Sequence, residues 1–476
     1  MKRKEIMAAY KAGPEAVIKL VESMSDEIAE LKKRIKALED RLSKNSTNSS
    51  KPPSTDLPKK KRSLREKTGR SPGGQKGHKG HNLKMVDVPD HTKVHKASTC
   101  SKCGRSLEDV LPTGFRKRQV FDLPPIKVEV TEHRAEEKIC PHCGCKNEAS
   151  FPDAVSQSTQ YGPRIKAILT YLNQYQLIPY ERTSELFSDL FGIELSVATI
   201  VNTNRACFEA LKSVEDKIKE QITASPVVHF DETGLYTEGD RWWLHVASTK
   251  NLTYYAAHPR RGKAATDVID ILPNFYGTAV HDSWNTYFKY NCSHALCNAH
   301  HLRELKGIEE CYSQKWAVDM SSLLVDIKEA VDKKRVVVDR LDKDEIDGFK
   351  DRYDKIIKGG LAENPIVKVR GGPKKRGRKK QSKAKNLLDR LKEHWRETLS
   401  FMYDFDIPFD NSQAERDIRM AKVQQKISGT FRSAGGAKTF CRIRGYISTA
   451  RKNSLSVIDA IQAAFEGNPF MVSMES

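Results

Sequence analysis

The stretch Val227-Val228-His229-Phe230-Asp231-Glu232-Thr233-Gly234 decides how this chain is read. β-Branched and aromatic residues run into a pair of acids, the pattern of a strand that delivers a carboxylate at its end. Two more strand-like runs follow at 242–249 and 252–257, separated from the first by the turn residues Thr237-Glu238-Gly239-Asp240. A helical run at 263–272 stops at Pro273, and 277–281 reads as a fourth strand that closes on Asp282. Three antiparallel strands, a crossover helix and a further strand are the opening of an RNase H-like α/β fold. A right-handed crossover returns the fourth strand beside the first. That predicts Asp231 and Asp282 at neighbouring strand ends despite their separation in sequence. Period-two alternation turns Glu232 to the other side of the strand, so it ranks behind Asp231.

A third acid comes from a helix. Asp410-Asn411-Ser412 can cap a helix running to about residue 426. On it Glu415, Arg419, Lys422 and Lys426 share one face, while Ala414, Ile418 and Ala421 mark another that suits packing on a sheet. A carboxylate in line with three cations fits a phosphodiester laid along the helix; an ion-paired solvent face is the alternative for the helix taken alone. Two strand-end aspartates and one helical glutamate can hold a pair of Mg²⁺ ions, or Mn²⁺ in their place, for in-line phosphoryl transfer on DNA. Beyond the helix, Arg432, Arg442, Arg444, Arg451 and Lys452 add cations able to position phosphates without reading sequence.

Composition supports a polyanionic partner. Lysine and arginine number 82 against 62 acids, a formal charge of +20 and a pI near 9.3, which favours nucleic acid or an acidic membrane surface. No run is long and apolar enough for a membrane span, and Met1-Lys2-Arg3-Lys4-Glu5 lacks the apolar core of a signal peptide. The expectation is a cytoplasmic protein with no membrane partner. There clustered cysteines are better metal ligands than disulfides.

The modules around the acids read as equipment for holding DNA. Val17, Val21, Met24, Ile28, Leu31, Ile35, Leu38 and Leu42 alternate by three and four, a coiled-coil seam that predicts a homodimer or higher homo-oligomer. A Ser/Pro/Lys/Gly-rich linker follows. Cys100-x-x-Cys103-Gly and Cys140-x-x-Cys143-Gly present four thiolates suited to structural, tetrahedral Zn²⁺. The strand-like text of 118–123 and 126–130 between them suggests a small β-insert. Helix, a turn holding Gly192, then a helix capped by Ser196 is the outline of a helix-turn-helix, an outline that plain helical hairpins share. The basic joint Gly371-Gly-Pro-Lys-Lys-Arg376-Gly-Arg378-Lys-Lys380 reads as the mobile tip of a helical insertion, with Arg376 and Arg378 as DNA contacts. His294, Cys297, His300 and His301 read as a last strand entering a helix, the histidines in polar or packing roles rather than on a metal.

With these residues in view the chain resembles the IS66 family of bacterial insertion-sequence transposases. The likeness rests on Gly73-Gly-Gln-Lys-Gly-His78, the paired cysteine knuckles, Phe230-Asp-Glu-Thr-Gly234, Arg241-Trp-Trp243, and Tyr254-Tyr255 with His258-Pro-Arg-Arg-Gly-Lys263. It continues through Leu296-Cys-Asn-Ala-His-His-Leu-Arg-Glu-Leu305 and Asn411-Ser-Gln-Ala-Glu-Arg416. The resemblance implies an acidic triad at Asp231, Asp282 and Glu415, hydrolysis at the element's ends, and attack of the freed 3′-hydroxyl on target DNA. It also implies accessory proteins encoded by the element. The setting His281-Asp282-Ser283 departs from the Ser-Asp-Gly common in the family. A catalytically silent DNA-binding protein derived from a transposase is the alternative.

The expected organisation is therefore a multidomain α+β chain. It comprises a coiled-coil helix at 1–45, a basic linker at 46–98, a zinc module at 99–150 and a helical, helix-turn-helix-like region at 151–222. The catalytic core is split between 223–305 and 405–455 by a helical insertion at 306–404, and 456–476 forms a tail.

Overall fold

The computed structural model describes residues 3–43, 48, 83–124, 126–365 and 381–472. The chain divides into two units: Met1–Leu57 with Pro152–Asp189 and Ile193–Ser476, and Pro58–Phe151 with Leu190–Gly192. At the amino end α1 (Arg3–Lys11) gives way at Gly13 to α2 (Pro14–Ser43), with proline at the first helical position where its missing N–H costs nothing. Along α2 the apolar stripe stays open to solvent: Val21, Met24, Ile28, Leu31 and Ile35 are all exposed. The 49–82 part of the basic linker lies outside the described residues, as does the insertion tip at 366–380 with Arg376 and Arg378.

The smaller unit is built from two near-identical turns. Gly104 N–H donates to the Cys100 carbonyl and Gly144 N–H to the Cys140 carbonyl, each at 2.9 Å. Both glycines take a positive φ, +70° and +69°, which explains a glycine directly after each second cysteine. The second knuckle sits between β1 (Glu137–Ile139) and β2 (Lys146–Glu148), an antiparallel pair. The expected strands at 118–123 and 126–130 do not form: Val120, Leu123 and Val130 are exposed, with no sheet face to bury them. Pro124, which has no N–H to donate, stands between the two runs.

In the larger unit five strands form one mixed sheet: β3 (Val227–Thr237), β4 (Asp240–Ser248), β5 (Thr253–His258), β6 (Thr278–His281) and β7 (Ser293–Leu296), in spatial order β5-β4-β3-β6-β7. The first three pair antiparallel, while β6 and β7 run parallel to β3. Glu238 and Gly239, both at positive φ, make the two-residue hairpin whose twist matches its strands. The first strand runs past its expected end at 230, because β4 continues to pair with it as far as Thr237↔Asp240.

Helices cover both faces. α3 (Pro163–Thr170), α4 (Tyr180–Phe191), α5 (Val197–Ala210) and α6 (Lys212–Ala224) precede the sheet, and α7 (Lys263–Ile269) makes the crossover. Ser196 caps α5, its hydroxyl accepting from Thr199 N–H at 3.1 Å. The insertion holds α8 (Asn298–Tyr312), α9 (Lys315–Lys334), α10 (Lys343–Glu363), α11 (Lys383–Glu393) and α12 (Trp395–Tyr403), followed by α13 (Ser412–Ser428), α14 (Ala434–Lys452) and α15 (Val457–Phe465). Val228, Phe230 and Ala279 share one core with Ile218, Ile222, Ile443 and Ile461. Leu235, Leu244, Val246 and Tyr255 share another with Ala414, Ile418 and Ala421, the face of α13 that the sequence assigned to packing. The insertion helices form a third core around Met320, Leu324, Leu388 and Phe401 that they share with Val280 of β6 and Ala295 of β7. Among the described residues no helix is long and apolar enough to cross a membrane.

Candidate active site

The site begins where β3 loses one neighbour. Its pairing with β6 stops at His229↔Val280, while pairing with β4 continues through Asp231↔Val246. Two residues beyond that last parallel pair, Asp231 and Asp282 stand in register with each other. Asp231 is thus inside β3 rather than at its end, as the sequence suggested; the four-residue β6 ends and uncovers it. Each aspartate is steadied by a backbone amide: Asp231 Oδ1 accepts from Glu232 N–H at 2.8 Å and Asp282 Oδ1 from Trp284 N–H at 2.9 Å.

Glu415 is held near the β7–α8 junction through Asn411. The Asn411 side chain does not cap α13. Instead Oδ1 bonds the His229 ring at 2.8 Å, Nδ2 donates to the Phe230 carbonyl at 2.7 Å, and the backbone N–H donates to Cys297 Sγ at 3.2 Å. One buried asparagine therefore ties the start of α13 to β3 and to the β7–α8 junction. Glu415, in the first turn, then lies with Oε1 3.3 Å from Arg303 Nη2 and 3.8 Å from His300 Nε2. Donor atoms of Cys297, His300 and Glu415 all fall within 4.8 Å of one another.

Electrostatics link the three acids, although among the described residues their oxygens do not all lie within 4.8 Å of one another. Burial pushes the Asp231 carboxyl well above its usual range, and the charges of Glu232, Asp282 and Glu415 push it further. Glu232 is raised by burial and by Asp282, although Arg261 Nε donates to it at 2.9 Å and the Tyr287 hydroxyl also donates to it. It faces away from α13, as alternation predicted, into a buried assembly. There Arg261 lies over Trp243 and Trp284, and Arg241 over the same Trp243. Burial and the Arg303 charge lower His300. A buried carboxyl pushed up by neighbouring acids, as Asp231 is, suits a divalent cation that relieves the repulsion, and oxygen donors suit Mg²⁺ or Mn²⁺.

The remaining candidates separate into free and engaged groups. Arg419, Lys426 and Arg432 are exposed. Lys422 is turned in: its ammonium donates to the Gly234 carbonyl, and burial lowers its pKa. Three of the downstream cations are likewise consumed inside the fold, because α14 packs against β5, α5 and α6. Arg442 pairs with Glu215 at 2.7 Å, Arg444 donates to the Tyr175 carbonyl at 3.1 Å, and Lys452 pairs with Asp417 at 2.8 Å. In the smaller unit Cys100 and Cys140 are lowered chiefly by amides of Cys103 and Cys143 in their own turns. Among the described residues no three of the four sulfurs lie within 4.8 Å of one another, so each knuckle is formed separately. The sequence suggested Asn411 as part of a helix cap and His300 as a polar or packing residue; the structure gives Asn411 a different set of partners, and Arg303 beside Glu415 had no assigned role.

Comparison with known families agrees with this picture. Residues 158–439 match the model described as Transposase IS66 family, and 97–144 match the zinc-finger binding domain of transposase IS66. Residues 9–84 match a family of unknown function, DUF6444. No curated protein matches the chain.

Proposed function

Because the chain belongs to the IS66 family of transposases, we propose that it is a DDE transposase in which Asp231, Asp282 and Glu415 hold the catalytic metal ions. The supporting observation is the parallel register of β3 and β6, which runs to His229↔Val280 and so carries Asp231 and Asp282 out on adjacent strands, with the charges of Asp282 and Glu415 both acting on the Asp231 carboxyl. The strand order β5-β4-β3-β6-β7, with three antiparallel strands and two parallel ones, supports an RNase H-like core. When bound, a pair of Mg²⁺ or Mn²⁺ ions supplies an activated water or 3′-hydroxyl and charge stabilisation for the leaving 3′-oxygen. The protein's part is to hold three carboxylates at fixed positions and to keep Glu232 committed to Arg261 and Tyr287. Arg419, Lys426 and Arg432 grip phosphates, joined by Arg376 and Arg378 of the insertion tip.

In the same reading residues 1–45 pair protomers so that two transposon ends are handled together, and Cys100, Cys103, Cys140 and Cys143 of 99–150 would hold one structural zinc ion once the two separately formed knuckles close on it. Residues 151–222 and the 306–404 insertion contact DNA around a core made of 223–305 and 405–455. The setting is the bacterial cytoplasm, with accessory proteins of the element as further partners. The test is cleavage of a supercoiled plasmid carrying the element's terminal inverted repeats, in Mg²⁺, by wild type and by Asp231→Asn, Asp282→Asn and Glu415→Gln. Each variant should lose cleavage and strand joining by orders of magnitude yet bind the same DNA within a few-fold. Four proteins that cut alike would refute the assignment. A wild type that binds the ends without cutting in any divalent metal would favour the silent DNA-binding alternative.

A further inference from the structure

The geometry points to His300 as a nitrogen ligand of the divalent ion bound by Glu415, a fourth protein donor beyond the three carboxylates. The inference rests on the metal-dependent reading above and adds a residue to it. The first turns of α8 and α13 face each other, and His300 Nε2 lies 3.8 Å from Glu415 Oε1. That is too long for a hydrogen bond. Two ligands each about 2.1 Å from a common ion stand about 3.0–3.4 Å apart, so a small side-chain rotation closes the pair onto one cation. The ring is not needed as a counter-charge for Glu415, because Arg303 already supplies one at 3.3 Å. Nor is it held elsewhere: His300 Nδ1 is buried with no hydrogen-bond partner. The charges of Glu415 and Asp282, two of the proposed ligands, also act on this ring.

Cys297 completes the cluster without serving as a ligand. It is 1% exposed, its sulfur accepts the Asn411 N–H, and hard, oxygen-preferring ions do not select a thiol. Its role is positioning: it holds the start of α13, and so Glu415, against the helix that carries His300. One imidazole among carboxylates has a consequence for metal choice. It favours Mn²⁺ over Mg²⁺, since nitrogen donors bind the transition ion more strongly.

The experiment uses the full-length, zinc-loaded protein titrated with Mn²⁺ alone and followed by electron paramagnetic resonance with pulsed detection of nitrogen couplings. Wild type should bind Mn²⁺ with a ¹⁴N coupling that becomes ¹⁵N on isotopic labelling. His300→Gln should lose the coupling and bind Mn²⁺ roughly 10- to 100-fold more weakly. Cys297→Ala should retain the coupling while binding Mn²⁺ more weakly, because the sulfur positions Glu415 without ligating the ion. Zinc content and far-UV circular dichroism establish that each variant is folded. Mn²⁺ bound without nitrogen coupling, or with a coupling that survives His300→Gln, overturns the assignment of His300 and leaves the carboxylate site standing. No Mn²⁺ binding to wild type overturns both.

Discussion

Asp231→Asn should make the metal-free protein more stable while removing its chemistry. In the fold this carboxyl is raised by burial and by three acidic neighbours. Its folded pKa therefore lies above the unfolded value near 3.9. A carboxylate raised in this way destabilises the fold wherever it is ionised, and the penalty lifts as pH falls through the raised value. Like charges a few ångströms apart cost on the order of 1–4 kcal/mol at an effective dielectric near 20. Asparagine keeps an oxygen that can accept the Glu232 N–H, so little is lost in exchange. The net gain is about 1–3 kcal/mol, or roughly 2–10 °C in melting temperature for a unit of this size. The assay is thermal unfolding in EDTA and again in Mg²⁺. Wild type should gain about 1.4 kcal/mol from Mg²⁺ at ten times its dissociation constant, and Asp231→Asn should gain far less. If the variant melts below wild type in EDTA and responds equally to Mg²⁺, the carboxylates do not form a mutually repelling metal site.

Other outcomes test the scaffold and the DNA surface. Gly277→Ala would put a Cβ 2.5 Å from the Pro226 carbonyl and 2.7 Å from the Phe275 ring. Chemical denaturation should show a loss of about 1–3 kcal/mol, with cleavage impaired because Asp282 directly follows β6. Burial holds His281 down to about 3 and His245 to about 4. Both rings stay neutral in the fold, so the stability they carry is complete above the unfolded value near pH 6.5 and drains away as the pH falls towards 4. Each should cost about 2 kcal/mol at pH 5 relative to pH 7, a trend that His245→Gln should halve in unfolding measured across that range. Replacing Arg419 and Lys426 together by alanine should lower the slope of log affinity for duplex DNA against log salt by roughly 1–2. Anisotropy titrations should find that Lys422→Ala leaves this slope unchanged, because its ammonium serves Gly234.

The core was legible because its signals are local and periodic. Alternation in β3 and the apolar face of α13 each record which side of an element meets the sheet. They located the strands and the packing face of α13, while the crossover helix ends at Ile269 with Asp270 in the left-handed region, before the expected stop at Pro273. What the sequence did not carry is where one strand outlasts its neighbour. Asp231 looked terminal because a short acidic run resembles a strand end, yet β4 pairs past it. The cations misled for a related reason. Charge in the sequence does not say which arginines are solvated, and Arg444 and Lys452 are buried against carbonyls and Asp417. Asn411 and His300 were obscure because their partners, His229 and Glu415, are remote in sequence. The strands expected at 118–123 and 126–130 had the right composition but no sheet to join.

Crystals of the protein soaked in Mn²⁺ and measured at the manganese absorption edge test the central claim most directly. The account predicts anomalous peaks about 2.0–2.4 Å from carboxylate oxygens of Asp231, Asp282 and Glu415, and about 3.5–4 Å apart where two ions bind. Peaks that avoid these side chains, or an Asp231–Glu415 separation too wide for one cluster of ions to span, would contradict it.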